Sequence, residues 1–398
     1  MLSQFIFENF KCYRDETILD MKPAQLDEHT DSLIVGAGDK RFLPVSVIYG
    51  PNGGGKSTVL QAFEYLCRTV VWPYFLMRLK GGRLQSSTCA PYAFDPISKD
   101  SPTTFSAYFE ADGYTYRYIL SLKDGDVVEE YLHRRLPGRG AEATLFERAG
   151  STITLGASLK SKRISTDIDA KMPFFSYLAI NHNVESVDAA FDWFMHCSFL
   201  DYSRSAIEYR FTEMEGSKEK DRVIELLNNM DIDISNFRFE RKDEDRIAGI
   251  YLSHKIDGKE YELELSEESN GTRKLLGLIP IILETLEDGR VLVSDELDAK
   301  LHPKLFKYLI SLFTNSSTNP KGAQLLLTSH DTSTLKSSVF RRDEIWFAAK
   351  TEEGPSVLYS LADIKDIDNQ RIRTQNAYDK QYLEGRYGAD PYLKLMLS

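Results

Sequence analysis

The chain has 398 residues, 42% of them hydrophobic and 27% charged, with a formal net charge of -11. That length carries one large domain or two smaller ones around an ordinary core. The acidic balance argues against a protein that coats nucleic acid, since neutralising phosphates takes an excess of Lys and Arg, but it leaves room for a local basic groove. The four cysteines, Cys12, Cys67, Cys89 and Cys197, form no CxxC pair. Neither a disulfide framework nor a zinc site is indicated, and a reducing cytoplasm fits. Glu8 and Lys11 break the N-terminal apolar run, unlike a signal peptide, and no stretch approaches the roughly 20 apolar residues of a membrane helix.

Phe5-Ile6-Phe7 reads as a first strand running into a turn, and 43–49 as a buried strand. A glycine-rich loop follows. From Ser57 to Val71 the apolar residues Val59, Leu60, Phe63, Leu66 and Val70 recur at helical spacing. Residues 72–102, rich in Pro, Gly, Ser and aromatics, give no clear element. An antiparallel meander is expected from Thr103 to about Ile153, with turns at Asp112-Gly113 and Gly125. Residues 185–232 read as helical, including the aromatic run Phe191 to Phe199 as a core helix and Asp221 to Met230. Asp257-Gly258 between Ile250–His254 and Tyr261–Leu265 signals a hairpin. The remainder alternates: helix Thr272–Leu286, strand Val291–Ser294, helix Pro303–Phe313, strand Gln324–Thr328 and strand Glu344–Ala348. Strands alternating with helices predict an α/β fold with a mostly parallel sheet. The expected division is an N-terminal lobe with the β subdomain (1–155), a mainly helical insertion or lid (156–255) and a C-terminal lobe (256–398).

Gly50-Pro51-Asn52-Gly53-Gly54-Gly55-Lys56-Ser57 satisfies GxxxxGK[ST] between a strand and a helix, the context a phosphate-binding loop requires. Asn52, Gly53, Gly54, Gly55 and the first helical residues through Thr58 would present backbone N–H groups to phosphate, and Lys56 would reach the terminal phosphates. Ser57 would bind Mg²⁺, and the helix would point its positive end at the anion. Val291 to Glu296 is an apolar strand ending in two carboxylates. Asp295 is the second expected Mg²⁺ ligand, and Glu296 the general base for an attacking water. Ser269 and Gly271 open an apolar helix, where they read either as a simple N-cap or as a second anion site. His330, at the end of the strand after Asp295, faces the same crevice if the two strands are parallel neighbours. Lys56, Glu296 and His330 are thus the candidate catalytic residues. Asp298 to Pro303 would be the loop linking the two sites of a dimer, and His302 reads equally as part of it or as the residue opening the helix at Pro303. His133-Arg134-Arg135 with Arg139, and 160–163, are basic loops, read as solvated rather than as nucleic-acid contacts. His196-Cys197 reads as core.

Together these motifs resemble the ABC-type ATPase heads of the SMC, RecF and OLD group, and within it the RloA-like bacterial AAA/ABC ATPases. The matching segments are 8–13, 50–57, 268–272, 295–303, 328–331, 342–347 and 385–392. The resemblance implies an ABC-type head that binds ATP and Mg²⁺, with Lys11 near the phosphates, where relatives carry Arg. A glutamine loop is not placed, Gln85 being its sole candidate. It further implies a homodimer or higher homo-oligomer in which Ser269 and Gly271 of one copy close over ATP held by another. In the related Septu and PARIS systems such ATPases serve a separate nuclease or toxin effector in anti-phage defence, and no nuclease motif stands in this chain. A RecF- or SMC-like DNA-repair ATPase that binds nucleic acid directly is the alternative.

Overall fold

The computed structural model describes residues 1–79, 89–136, 140–200, 218–243, 246–365, 372 and 377–389. Strands β1 (Leu2–Glu8) and β2 (Thr17–Asp20) open the chain, and the short β3 (Ile34–Val35) and β4 (Arg41–Phe42) pair with each other. Strand β5 (Val45–Tyr49) leads through the glycine-rich loop into helix α1 (Lys56–Arg78). After the short helix α2 (Pro96–Asp100) comes the expected meander: β6 (Thr103–Ala111), β7 (Tyr114–Lys123), β8 (Asp126–Arg135), β9 (Ala143–Ala149) and β10 (Thr152–Leu155). Helices α3 (Ala157–Lys160), α4 (Phe174–Asn181) and α5 (Glu185–Met195) follow, then strand β11 (Cys197–Leu200) and helix α6 (Lys218–Asn229). Strands β12 (Asn236–Asp243), β13 (Arg246–Ile256) and β14 (Lys259–Glu264) form a small antiparallel sheet, whose hairpin turns at Asp257 and Gly258 with φ of 50° and 75°. The chain ends through α7 (Asn270–Asp288), β15 (Val291–Ser294), α8 (Pro303–Thr314), β16 (Gln324–Thr328), β17 (Ile345–Lys350), β18 (Ser356–Ser360) and α9 (Tyr378–Leu383).

The central sheet runs β11-β15-β16-β5-β17-β18, parallel except for β18, and the antiparallel sheet runs β10-β9-β8-β7-β6-β1-β2. Alternation along each central strand sorts the core into two layers, as the pleat requires. Val45, Val47, Tyr49, Leu292, Leu325 and Leu327 face α7, α8 and the hairpin. Ile48, Val291, Val293, Leu326 and Trp346 face α1, α4, α5 and the inner face of the antiparallel sheet. Helix α1 is therefore sandwiched between the two sheets, with Phe63 meeting Phe5 of β1 edge-on at 5.1 Å. Across the same layer Trp193 of α5 stacks on Phe109 of β6 at 4.1 Å.

Three expectations change. Helix α1 does not stop at Val71 but passes through Pro73 to Arg78, because packing outweighs the lost backbone bond: Tyr74 meets Phe191 and Arg78 lies over the Tyr74 ring. The aromatic run 191–199 is not one helix. His196 caps α5, and Cys197–Leu200 joins the central sheet beside β15, a four-residue apolar run being ambiguous between helix and strand. His133 to Arg135 lie in strand β8 rather than in a loop, with His133 beside Glu142 and Glu147. Arg139 lies outside the described residues. The stretch 156–255 carries α3 to α6, and also β11, β12 and most of β13.

Candidate functional site

The phosphate-binding motif sits where the parallel strand order places the C-terminal ends of β5, β15, β16 and β17 together, the crevice in which open α/β sheets hold ligands. Gly50 leaves β5 with φ 148°, and the backbone passes so close to β17 that a Cβ would lie 2.1 Å from the Ala348 carbonyl oxygen. Gly54 is under the same oxygen. Asn52 and Gly53 are exposed at the tip. Gly55, φ 109°, caps α1, and Ser57 and Thr58 are half-buried in its first turn. Lys56 is buried, and its Nζ donates to the carbonyls of Gly50 at 2.9 Å and Pro51 at 3.1 Å, so the ammonium curls back across its own loop. Burial pulls it below the usual lysine range, opposed by Asp295, Glu296 and Asp298.

The two acidic residues are oriented by the neighbouring strand. The Thr328 hydroxyl donates to Asp295 Oδ1 and accepts the Glu296 N–H at 2.8 Å. Glu296 adopts a left-handed backbone, φ 49°, which turns its carboxylate out of the strand. It meets His330 there, with Nε2 3.5 Å from Oε1. Asp295, Glu296 and His330 thus come together as the spacing predicts, and Lys56 lies within electrostatic reach of both carboxylates. Asp295 Oδ2 makes no hydrogen bond among the described residues. With the Ser57 hydroxyl it offers the hard oxygen donors that Mg²⁺ takes.

Among the described residues no hydrogen bond joins Ser269 or Gly271 to this cluster. Ser269 caps α7, accepting the Thr272 N–H at 3.1 Å, and a Cβ on Gly271 would lie 3.5 Å from the Lys300 carbonyl. Lys11, exposed with φ 51°, bonds Gln61 of α1, the helix that follows the phosphate loop, through Nζ at 2.8 Å. His302 resolves as the N-cap of α8, its Nδ1 accepting the Lys304 N–H. Gln85 lies outside the described residues.

Sequence reasoning did not foresee the contacts of two residues. Thr328 reads as the last apolar-strand position, and only the β15–β16 register, Ser294 beside Leu327, reveals that its hydroxyl joins the Asp295 carboxylate to the Glu296 backbone N–H. Asp298, nearly buried, collects the Ser329 hydroxyl and the N–H groups of His330 and Asp331 on one carboxylate oxygen, at 3.0, 3.0 and 2.8 Å. Its position within a DExD run was the available signal.

No curated protein matches the chain. Among solved structures, an SMC head domain from Thermotoga maritima aligns at 14% identity and a TM-score of 0.41, over 90% of this chain and 98% of that one. A structure described as the SmcHead bound to the C-winged helix domain of ScpA aligns at 14% identity and 0.39, over 90% and 97%. Residues 45–336, which contain the phosphate loop, Asp295, Glu296 and His330, match the family described as "AAA domain, putative AbiEii toxin, Type IV TA system". The chain belongs to that AAA-domain family.

Proposed function

We propose that the chain is an ATP-binding and ATP-hydrolysing head of the ABC type, whose ATP-dependent dimerisation regulates a separate effector. One observation carries the reading. The phosphate loop, Asp295, Glu296 and His330 share one crevice, whereas Ser269 and Gly271 of the same chain bond within their own turn and face Lys300. Half a site of each kind in one chain calls for a second copy to complete it. In that arrangement Lys56 and the loop N–H groups neutralise phosphate charge, and Lys11 approaches from the α1 side. Glu296 takes a proton from the attacking water, with His330 beside it. Magnesium would be held by Ser57 and Asp295 and would supply charge neutralisation between phosphate oxygens.

Among the described residues no helix is long and apolar enough to cross a membrane. The family description speaks of a toxin and a toxin–antitoxin system. That description supports a regulator of a nuclease or toxin partner in anti-phage defence. The test is Glu296→Gln: with ATP and Mg²⁺ it should run as a stable dimer or higher oligomer on sizing chromatography while releasing no phosphate. A monomer with and without nucleotide sinks the composite site. Salt-sensitive DNA binding by the isolated chain would instead favour a RecF-like repair role.

A further inference from the structure

One turn beyond the Ser269 cap, Lys274 points away from solvent and into main chain. Its Nζ donates to the carbonyls of Leu297 at 2.8 Å and Ala299 at 2.5 Å, and reaches that of Glu296 at 3.4 Å. These bonds tie α7 to the loop that follows β15. The other side of that loop is held by Asp298, whose carboxylate binds the backbone of 330 and 331. Between the two grips the backbone is left-handed at Glu296 and again at Lys300, with φ of 49° and 63°. Residues with a Cβ keep such conformations only where the surroundings impose them. The ammonium is paid no favour by solvent here: burial draws it down to about 8, with Asp298 opposing, Lys300 adding to the fall and Glu296 opposing again.

We infer that Lys274 is a positioning residue: through the carbonyls of 296, 297 and 299 it makes the placement of the Glu296 carboxylate depend on the Ser269–Gly271 turn of the same helix. The inference rests on the composite-site reading above. In that arrangement the turn that meets one nucleotide belongs to the chain whose Glu296 serves the other. Lys274 therefore links the two sites, and hydrolysis at one is sensed at its neighbour. Reciprocal coupling of this kind needs an element that both sites bias, and the loop 296–300 is that element.

The experiment uses the full chain with Lys274→Met and Lys274→Arg. For Lys274→Met, ATP affinity should stay within about twofold of the parent, kcat should fall at least tenfold and any cooperativity in ATP should be lost. Lys274→Arg, which keeps donors for the carbonyls, should recover at least a third of kcat. Hydrogen exchange without nucleotide should show faster exchange at the amides of 296–300 in Lys274→Met. Parental kcat and parental protection in Lys274→Met overturn the inference, as does equal loss in both variants with a matching fall in thermal stability. Should Lys274→Met not fold, Lys274→Gln replaces it under the same criteria. The exchange measurement also separates the two readings. If the parent releases no phosphate but 296–300 loosens on substitution, the clamp stands and the hydrolysis reading falls.

Discussion

Replacing Gly50 by alanine tests the claim that the phosphate loop is shaped by its contact with β17 rather than by its own flexibility. A Cβ at Gly50 would sit 2.1 Å from the Ala348 carbonyl oxygen and 3.1 Å from its carbon. A relaxed carbon–oxygen contact is about 3.3 Å, so the two segments must part by roughly 1 Å. Strand β17 cannot yield easily, being bonded to β5 on one side and β18 on the other. The backbone at φ 148° adds about 1–3 kcal/mol for a residue with a Cβ, and the overpacking about 1–3 kcal/mol more. The expected destabilisation is about 2–6 kcal/mol. Gly53→Ala is the control, because a Cβ there meets nothing within 4 Å and only the left-handed φ of 74° opposes it, for about 1–2 kcal/mol. Urea unfolding without nucleotide compares the two. If Gly50→Ala is no less stable than Gly53→Ala, the account of the loop is wrong.

Thr328→Val should leave the Glu296 N–H and Asp295 Oδ1 without their shared hydroxyl, at about 1–3 kcal/mol, lowering kcat roughly 10- to 100-fold with little change in ATP affinity. Steady-state phosphate release measures this, and an unchanged kcat refutes the role given to Thr328. Glu344 is buried, with Oε2 accepting the Arg341 N–H and Oε1 without a hydrogen-bond partner among the described residues, and burial pushes its carboxyl up to about 8. The folded chain holds a proton there that the unfolded chain releases, so stability from this group is full at low pH and is lost as pH rises from about 4.5 to 8. Glu344→Gln should therefore raise the melting temperature at pH 8 to 9 and leave it nearly unchanged at pH 5. A uniform shift at both pH values counts against the buried acid.

The parts of the site most legible in the sequence are those whose chemistry is local. The phosphate loop declares itself through glycines, lysine and serine in a row, and Asp295, Glu296 and His330 through their place at strand ends. The strands of the parallel sheet show as short apolar runs between helices. What was not legible depends on pairing between distant segments. Cys197–Leu200 becomes a strand only because β15 lies beside it. Thr328 acquires a role only through the β15–β16 register, and Lys274 is an ordinary helical lysine until three carbonyls are folded around its ammonium. The course of α1 past Pro73 was hidden for a similar reason, since Phe191 of α5 holds Tyr74 in place.

The strand order has a consequence for how the protein is made. Strand β5, which delivers the phosphate loop, lies between β16 and β17, and both neighbours are encoded far downstream. The amide of Gln324 adds a rivet, its oxygen accepting the Leu2 N–H and its nitrogen donating to the Leu2 and Leu43 carbonyls. During synthesis the early segment can collapse around α1 and the meander, but its nucleotide pocket has no floor until Ala348 has left the ribosome. Closure of such distant pairs is slow, and the unpaired edges of β5 stay exposed meanwhile. A nascent chain thus cannot hold the phosphate loop in its final shape until residue 348 has emerged.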